Sequence, residues 1–280
     1  MTSTSQRARR TTEELRRRAD WIRRKTIDLV EVAGSGHYSS TFSCAEILAV
    51  LYDAVLDLRP GEPDWPDRDR FLLGKGHVAV GLYPLLAELE YFPAEWLDSY
   101  TRLGSPLGDH PDMNKVPGID FSSGSIGHNL SVGLGMALGG RMRDATYRTF
   151  VLIGDGELHE GQVWEAAMAA AHHQAAGLIA IVDANGWTLD GPVGEVLGIE
   201  PIGAKFTAFG WNVEEVDGHD VEQLRAALSP ARGGHGAPTV IIARTLKGKG
   251  VSFMEGDAGW HLGYLGEADR QRAISELESK

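Results

Sequence analysis

The chain of 280 residues contains a single cysteine, so no internal disulfide can form and nothing calls for an oxidising compartment. Cys44 stands in the apolar stretch FSCAEILAVLY and reads as core packing rather than as a nucleophile. No run reaches the ~18 apolar residues that a membrane span needs. The segment after Met1 lacks the apolar centre of a signal peptide. The expectation is a cytoplasmic protein with no membrane partner. Positive charge is also scarce: the net charge of −12 argues against a nucleic-acid partner, which would want a basic face. Basic residues do gather in QRARRTTEELRRRADWIRRK (6–25). Glutamates and the pair Trp21 and Ile22 interrupt them, so a solvated first helix is expected rather than a binding arm.

Glycine, by contrast, is abundant, with 35 residues gathered at the ends of apolar runs, as where strands hand over to helices. Short continuous apolar runs predict strands over 149–153, 178–182, 211–216 and 239–243; continuity implies cover on both faces and hence a parallel sheet. Helical patterns fall between them, over 161–175, 201–209 and 221–228, and earlier over 12–33, 43–56, 78–89 and 131–143. Alternation of strand and helix predicts right-handed crossovers in an α/β fold, three layers α/β/α with a mainly parallel sheet. Apart from the Pro-rich connector RPGEPDWPDRDR (59–70), no repeat or linker divides the chain, and 1–280 reads as a single domain.

The stretch VLIGDGELHEGQVWEA (151–166) carries the most chemical information. It sets a carboxylate, Asp155, between two glycines where a buried strand should end. One crossover later, VDANG sets Asn185 at the end of the next strand. Ligands of open parallel sheets bind outside the carboxyl ends of the strands. If the two strands are neighbours, a carboxylate and an amide oxygen face each other there. Mg²⁺ is content with few protein ligands and takes the rest from phosphate and water. Gly154 and Gly156 leave backbone N–H groups open to an anion. The pattern reads as an anchor for a metal and a diphosphate.

Ten histidines offer groups that move protons near neutral pH. His77 follows Gly-Lys-Gly, a turn that can aim its ring at phosphate, although the spacing of a P-loop is absent. His110 precedes Pro111, which holds it extended and suits a ring reaching into a cleft. His37 lies in SGH between helical segments and His261 in AGWHLG. His172 and His173 are adjacent in sequence and read as packing or interface residues. HEGQV (159–163) lacks the second histidine of a zinc-protease helix.

GDGELHEGQVWEA (154–166) followed by GLIAIVDANGWTLDG (177–191) closely resembles the thiamine-diphosphate motif of transketolases. The resemblance runs over nearly the whole chain, through AGSGH (33–37), DRDRFLLGKGH (67–77), GDHPD (108–112), SSGSIGHNLSVGLGMAL (122–138), FGWNVEEVDGHD (209–220) and ARTLKGKGVSF (243–253). It implies the thiamine-diphosphate-binding fold of the type that grips the diphosphate. It also implies Mg²⁺ or Ca²⁺ on Asp155 and Asn185, joined by the backbone carbonyl of Trp187. Gly156 and His77 are implied as diphosphate contacts, and Gly124 and Ile126 as neighbours of the cofactor's rings. Glu160 would lie behind the site toward a subunit interface, and His37, His110 and His261 match substrate-channel histidines.

In that family the glutamate that activates the cofactor lies in a second, pyrimidine-binding domain, and a complete enzyme is more than twice this length. The chain therefore resembles the N-terminal subunit of a split transketolase. The expected partner is a C-terminal subunit carrying that domain and that glutamate, in a heterotetramer acting on sugars or sugar phosphates. Three departures stand out: Tyr38-Ser39-Ser40 after His37, His128-Asn129 before the 131–143 helix, and Gly74 ahead of Lys-Gly-His. Tyr38 is expected to narrow the acceptor channel, and the three together point to a specialised ketol transfer of the kind used in secondary metabolism. Two further enzyme readings share the metal turn, a deoxyxylulose-phosphate synthase-like protein and the α subunit of a 2-oxo acid dehydrogenase. A non-catalytic regulatory or assembly subunit is the reading of another class.

Overall fold

Alternation along the strands builds the two faces of the sheet. Phe150, Leu152, Ile179, Ile181 and Ile241 enter one buried cluster, while Val151, Ile153, Ala180, Val182 and Ile242 enter the other, because successive side chains of a strand point to opposite faces. The computed structural model describes residues 10–229 and 236–279. In it the strands β1 (Arg70–Leu73), β2 (Thr149–Gly154), β3 (Leu178–Ala184), β4 (Asn212–Asp217) and β5 (Thr239–Arg244) form one sheet in the order β1-β2-β3-β5-β4. Every pairing is parallel.

The helices are α1 (Thr12–Ala33), α2 (Ser39–Ser43), α3 (Ala45–Val50), α4 (Ala79–Glu88), α5 (His128–Met142), α6 (Gly161–His172), α7 (Val193–Val196), α8 (Ile202–Phe209), α9 (Val221–Leu228) and α10 (Glu267–Glu278). On one face α1 packs against α3, α4, α9 and α10; on the other α5 lies on β2 and against α6, which meets α8. This is the three-layer α/β/α arrangement expected. Among the described residues no helix is long and apolar enough to cross a membrane.

Several expectations need correction. β1 was not anticipated: its four residues are too few for a periodicity, and they follow a Pro-rich connector. β4 is the edge strand and is only thinly covered: four of its six residues are exposed, and each face contributes a single valine, Val213 to one cluster and Val216 to the other. The predicted helix over 43–56 is instead α2, α3 and a wide π-type turn, Leu51–Val55. α5 starts at His128 rather than 131, with Asn129 inside its first turn, where its Nδ2 donates to the Leu73 carbonyl at 2.8 Å and ties the helix to the end of β1. α6 ends at His172, and His172 and His173 are exposed with rings 5.0 Å apart.

The first helix is not solvated on all sides either. The start of the basic cluster, 6–9, lies outside the described residues, but Arg18 and Arg23 are 4% and 2% exposed. Arg18 Nε meets Asp53 at 2.9 Å. Arg23 Nη2 donates to both oxygens of Glu46 at 2.7 Å, and His219 Nδ1 lies 3.1 Å from the same carboxylate. The basic residues that looked like surface charge are partly an internal ion-pair framework. Cys44 is fully buried as expected, and burial pushes its thiol up to about 12, which makes it inert.

Glu46 ties this framework to the acid stability of the fold. Burial alone would raise its pKa, but Arg23 and His219 more than offset this and bring it from 4.5 down to about 2. A carboxylate depressed in the folded state stabilises the fold above its unfolded pKa. That contribution is lost as pH falls through the window from 4.5 to about 2, and amounts to about 3 kcal/mol. Urea denaturation at about pH 5 and about pH 3 should show the loss, and Glu46→Gln should flatten that part of the profile. An acid profile unchanged by Glu46→Gln would refute the assignment.

Candidate functional site

The ends of β2 and β3 are paired through Gly154 and Asp183, which places the turn carrying Asp155 beside the turn carrying Asn185. The two turns touch: Gly186 N–H donates to Asp155 Oδ2 at 2.5 Å, and Gly156 N–H donates to Asp155 Oδ1 at 2.9 Å. Asp155 is 4% exposed. Burial, reinforced by the nearby Asp183, pushes its carboxyl from 3.8 up to about 6. The nearby charge of Lys75 offsets this only in part. Asn185 Oδ1 accepts from Trp187 N–H at 3.1 Å, and its Nδ2 donates to Asp183 Oδ2 at 3.2 Å and Ser43 Oγ at 3.3 Å. The amide nitrogen is thereby committed to protein, leaving the oxygen as the atom with spare acceptor capacity.

Behind these two stands a buried hub that the sequence did not single out. Asp183 is 0% exposed and accepts from Lys75 Nζ, from Thr245 Oγ1 and, at 2.6 Å, from Ser43 Oγ. It joins α2, the turn after β1 and the end of β5 at one carboxylate. Lys247, 1% exposed, donates to the Thr188 carbonyl at 2.9 Å and lies 3.1 Å from His261 Nδ1. Burial and the charge of Lys75 push its pKa down to about 8. Glu157 accepts from Gly127 N–H at 2.9 Å and Gly154 N–H at 3.2 Å, yet burial still raises it to about 7. Its carboxylate fills the space that a side chain at Gly74 would need: a Cβ there would lie 2.6 Å from Glu157 Oε1.

The four singled-out histidines, from four separate segments, form one cluster. His37 lies 5.0 Å from His77, 5.3 Å from His261 and 6.4 Å from His110, centroid to centroid, and His77 lies 5.2 Å from His261. An antiparallel bridge between Gly36 and Gly263 brings the His37 and His261 segments together. Gly76 lets the His77 turn close on the 123–124 loop, since a Cβ there would meet Gly124 N at 2.9 Å and His110 Cδ2 at 3.0 Å. His77 Nε2 is buried and has no hydrogen-bond partner among the described residues. Burial, then the neighbouring Lys75 and histidines, holds its pKa well below the ordinary value. His261 is lowered to about 4 by burial and by Lys247. These two rings are neutral at physiological pH.

Gly124, Ile126 and Glu160 are exposed, and the 124–127 loop abuts Glu160, whose Cβ lies 2.7 Å from where a Cβ on Gly127 would stand. Leu189 and Met168 are also exposed. Tyr38 is elsewhere. It is 1% exposed, packs its ring edge-on to Phe42 at 6.3 Å and accepts from Leu265 N–H at 3.3 Å, so it belongs to the core and does not narrow a channel. A cavity of ≈ 180 Å³ beside Asp155 is lined also by Gly186, Val193, Ile199 and Arg244. That is smaller than the ~300 Å³ at which small-molecule pockets begin, so this cavity by itself does not house a cofactor.

Among the described residues no three His, Cys, Asp or Glu side chains are arranged to hold a metal by themselves. One buried carboxylate with no ion pair of its own among the described residues, one amide oxygen, two buried lysines and an unpartnered imidazole nitrogen do fit a divalent ion that arrives with a diphosphate.

The family model described as transketolase, thiamine diphosphate binding domain, matches residues 15–278. The 6-deoxy-6-sulfo-D-fructose transketolase subunit SqwG of Clostridium sp. (strain MSTE9) is 40% identical, over 95% of this chain and 97% of that one. One of the apulose-4-phosphate transketolase subunits, that of Phocaeicola vulgatus, is 37% identical, over 96% and 95%. Human transketolase is 37% identical over 96% of this chain but only 42% of its own length. The solved transketolase of Campylobacter jejuni matches with a TM-score of 0.90 at 29% identity, over 96% of this chain and 43% of that one. The chain thus spans nearly all of the two relatives named as subunits and under half the length of the human and Campylobacter jejuni transketolases. It belongs to the transketolase family and carries that family's thiamine diphosphate binding domain.

Proposed function

We propose that this chain, as one thiamine-diphosphate-binding domain, is the N-terminal subunit of a two-chain transketolase. With Mg²⁺ or Ca²⁺ and thiamine diphosphate it transfers a two-carbon ketol unit from a ketose or ketose phosphate to an aldehyde acceptor. The observation that carries the reading is the contact of the Asp155 and Asn185 turns beside a cluster of four histidines. Asp155, the Asn185 amide oxygen and the Trp187 carbonyl hold the ion. Gly156 and His77 Nε2 meet the diphosphate, and Gly124 and Ile126 line the approach of the cofactor's rings. When bound, the cofactor supplies the electron sink for breaking and remaking the carbon–carbon bond. His37, His110 and His261 bind substrate hydroxyl and carbonyl oxygens and hold the protons exchanged there.

Glu160, Ile126 and Leu189 form an exposed, partly apolar margin beside the site. An exposed apolar patch beside an incomplete pocket is where a partner docks. The partner is a C-terminal transketolase subunit that brings the pyrimidine-binding domain and the activating glutamate, assembled as a cytoplasmic heterotetramer. The subunit names and substrates of the similar proteins support a specialised sugar rather than the general pentose-phosphate pool.

Calorimetric titration of the chain with thiamine diphosphate and Mg²⁺, with and without the partner chain, tests this. Weak binding alone, at least about tenfold tighter binding in the complex, and two-carbon transfer only in the complex are expected. A chain that binds no cofactor in either state is not this subunit.

A further inference from the structure

Asp109 lies within the GDHPD segment but has no part in the roles assigned above. Its Oδ1 is 3.3 Å from His37 Nδ1 and accepts from Tyr100 OH at 3.2 Å. Tyr100 is 0% exposed, and beside it Tyr83 donates to the Gly108 carbonyl at 2.9 Å. The turn that carries the carboxylate is therefore pinned from below by two buried tyrosines whose rings meet edge to face. His37 is fixed independently, through the Gly36–Gly263 bridge and by Thr41 Oγ1, which donates to its carbonyl at 3.0 Å. Two separately anchored groups thus face each other, and a carboxylate can only accept. On the opposite wall His261 Nδ1 lies 3.1 Å from Lys247 Nζ, and an ammonium can only donate.

We infer that Asp109 is a positioning residue which, opposite Lys247, gives the histidine cluster two polarities suited to an α-hydroxycarbonyl substrate. The inference deepens the reading proposed above and rests on it for the identity of the substrate class. Which nitrogen of a neutral imidazole carries the proton is set by the hydrogen bond made at the other. Asp109 draws the proton of His37 to Nδ1 and leaves Nε2 as an acceptor. Lys247 occupies the Nδ1 lone pair of His261 and leaves Nε2–H as a donor. The two rings stand 5.3 Å apart and perpendicular, at 89°. A hydroxyl donating to His37 and an adjacent carbonyl oxygen accepting from His261 match that pair. A simple aldehyde or a carboxylate satisfies only the second.

Ring-nitrogen NMR of the full chain with labelled histidines, recorded without cofactor or partner, reads the tautomers directly. In the unsubstituted chain His37 is expected as Nδ1–H and His261 as Nε2–H. Asp109→Leu is expected to move His37 at least about tenfold toward Nε2–H, the shift that follows from losing a hydrogen bond to a charged group. Asp109→Asn keeps an acceptor oxygen and is expected to retain Nδ1–H. His261 should stay as it is in both variants. A His37 found mainly as Nε2–H in the unsubstituted chain overturns the proposal whether or not the leucine variant folds, and so does an Asp109→Leu spectrum with an unchanged His37. Because no cofactor is present, these outcomes are separate from the calorimetric test of cofactor binding.

Discussion

Replacing Asp155 by alanine is expected to weaken binding of thiamine diphosphate with Mg²⁺ by on the order of 100- to 1,000-fold, the range that follows from truncating one partner of a buried charge pair at about 3–4 kcal/mol. The carboxylate is 4% exposed, accepts from two backbone N–H groups and is pushed up to about 6 by burial and by Asp183. No cation among its hydrogen-bonding neighbours compensates that burial, so a divalent ion gains most of its attraction there. Stability of the empty chain should run the other way. A buried charge without a counter-charge costs stability, so Asp155→Asn should leave the melting temperature unchanged or raise it while losing nearly as much affinity as alanine. Calorimetry and thermal denaturation on the same two variants separate a binding role from a structural one. Native affinity in Asp155→Asn would mean that this carboxylate does not anchor the metal.

The features that could be read in the sequence are those written in contiguous residues. Apolar runs such as Phe150–Ile153 and Ile179–Val182 declared a parallel sheet because both faces of β2 and β3 are covered. Gly-Asp-Gly and Asp-Ala-Asn pointed to a candidate anchor because strand ends in such sheets face ligands. The expectation that these two strands are neighbours turned a pair of separate turns into one candidate site, and the β2–β3 register bears that neighbourhood out.

What could not be read is written in contacts between distant residues. Lys75 and Asp183 are 108 positions apart and His37 and Asp109 are 72 apart; nothing local in either segment names its partner. Arg18 and Arg23 looked like surface charge because their counter-ions Asp53, Glu88 and Glu46 stand on other elements. Tyr38 looked like a channel residue because it follows His37, but its backbone enters α2 and turns its ring into the core. β1 escaped because four residues give no period. Lys-Gly before His77 and Lys247 in LKGKG are plain in the sequence. A lysine followed by glycine in the turn after a strand, as at Lys75-Gly76 and Lys247-Gly248, is the one signal that would have pointed to buried cations at the site.

Asp183→Ala is expected to be the most damaging single change to the fold, lowering stability by about 3–5 kcal/mol, the cost of leaving one charge of a buried pair without its partner. Asp183 is 0% exposed and Lys75 is 4% exposed. Burial would raise the carboxyl, but the Lys75 charge and hydrogen bonds from Lys75, Ser43 and Thr245 hold it below the ordinary value. Loss of the carboxylate strands the ammonium, whose other hydrogen bond goes to the Ser40 carbonyl at 3.1 Å. For a chain of this size that corresponds to a fall in melting temperature on the order of 10 °C. A second substitution should recover part of it. Adding Lys75→Met to Asp183→Ala removes the orphaned charge, so the double variant should be more stable than Asp183→Ala alone, a non-additivity that thermal denaturation reads directly. Cofactor affinity should not recover with stability. Asn185 Nδ2 donates to the same carboxylate at 3.2 Å, so without it the amide is held less firmly toward the ion, by Ser43 Oγ and Trp187 N–H alone. Simple additivity of the two substitutions would mean that the pair is not coupled and that the hub beneath the site is packing rather than electrostatics.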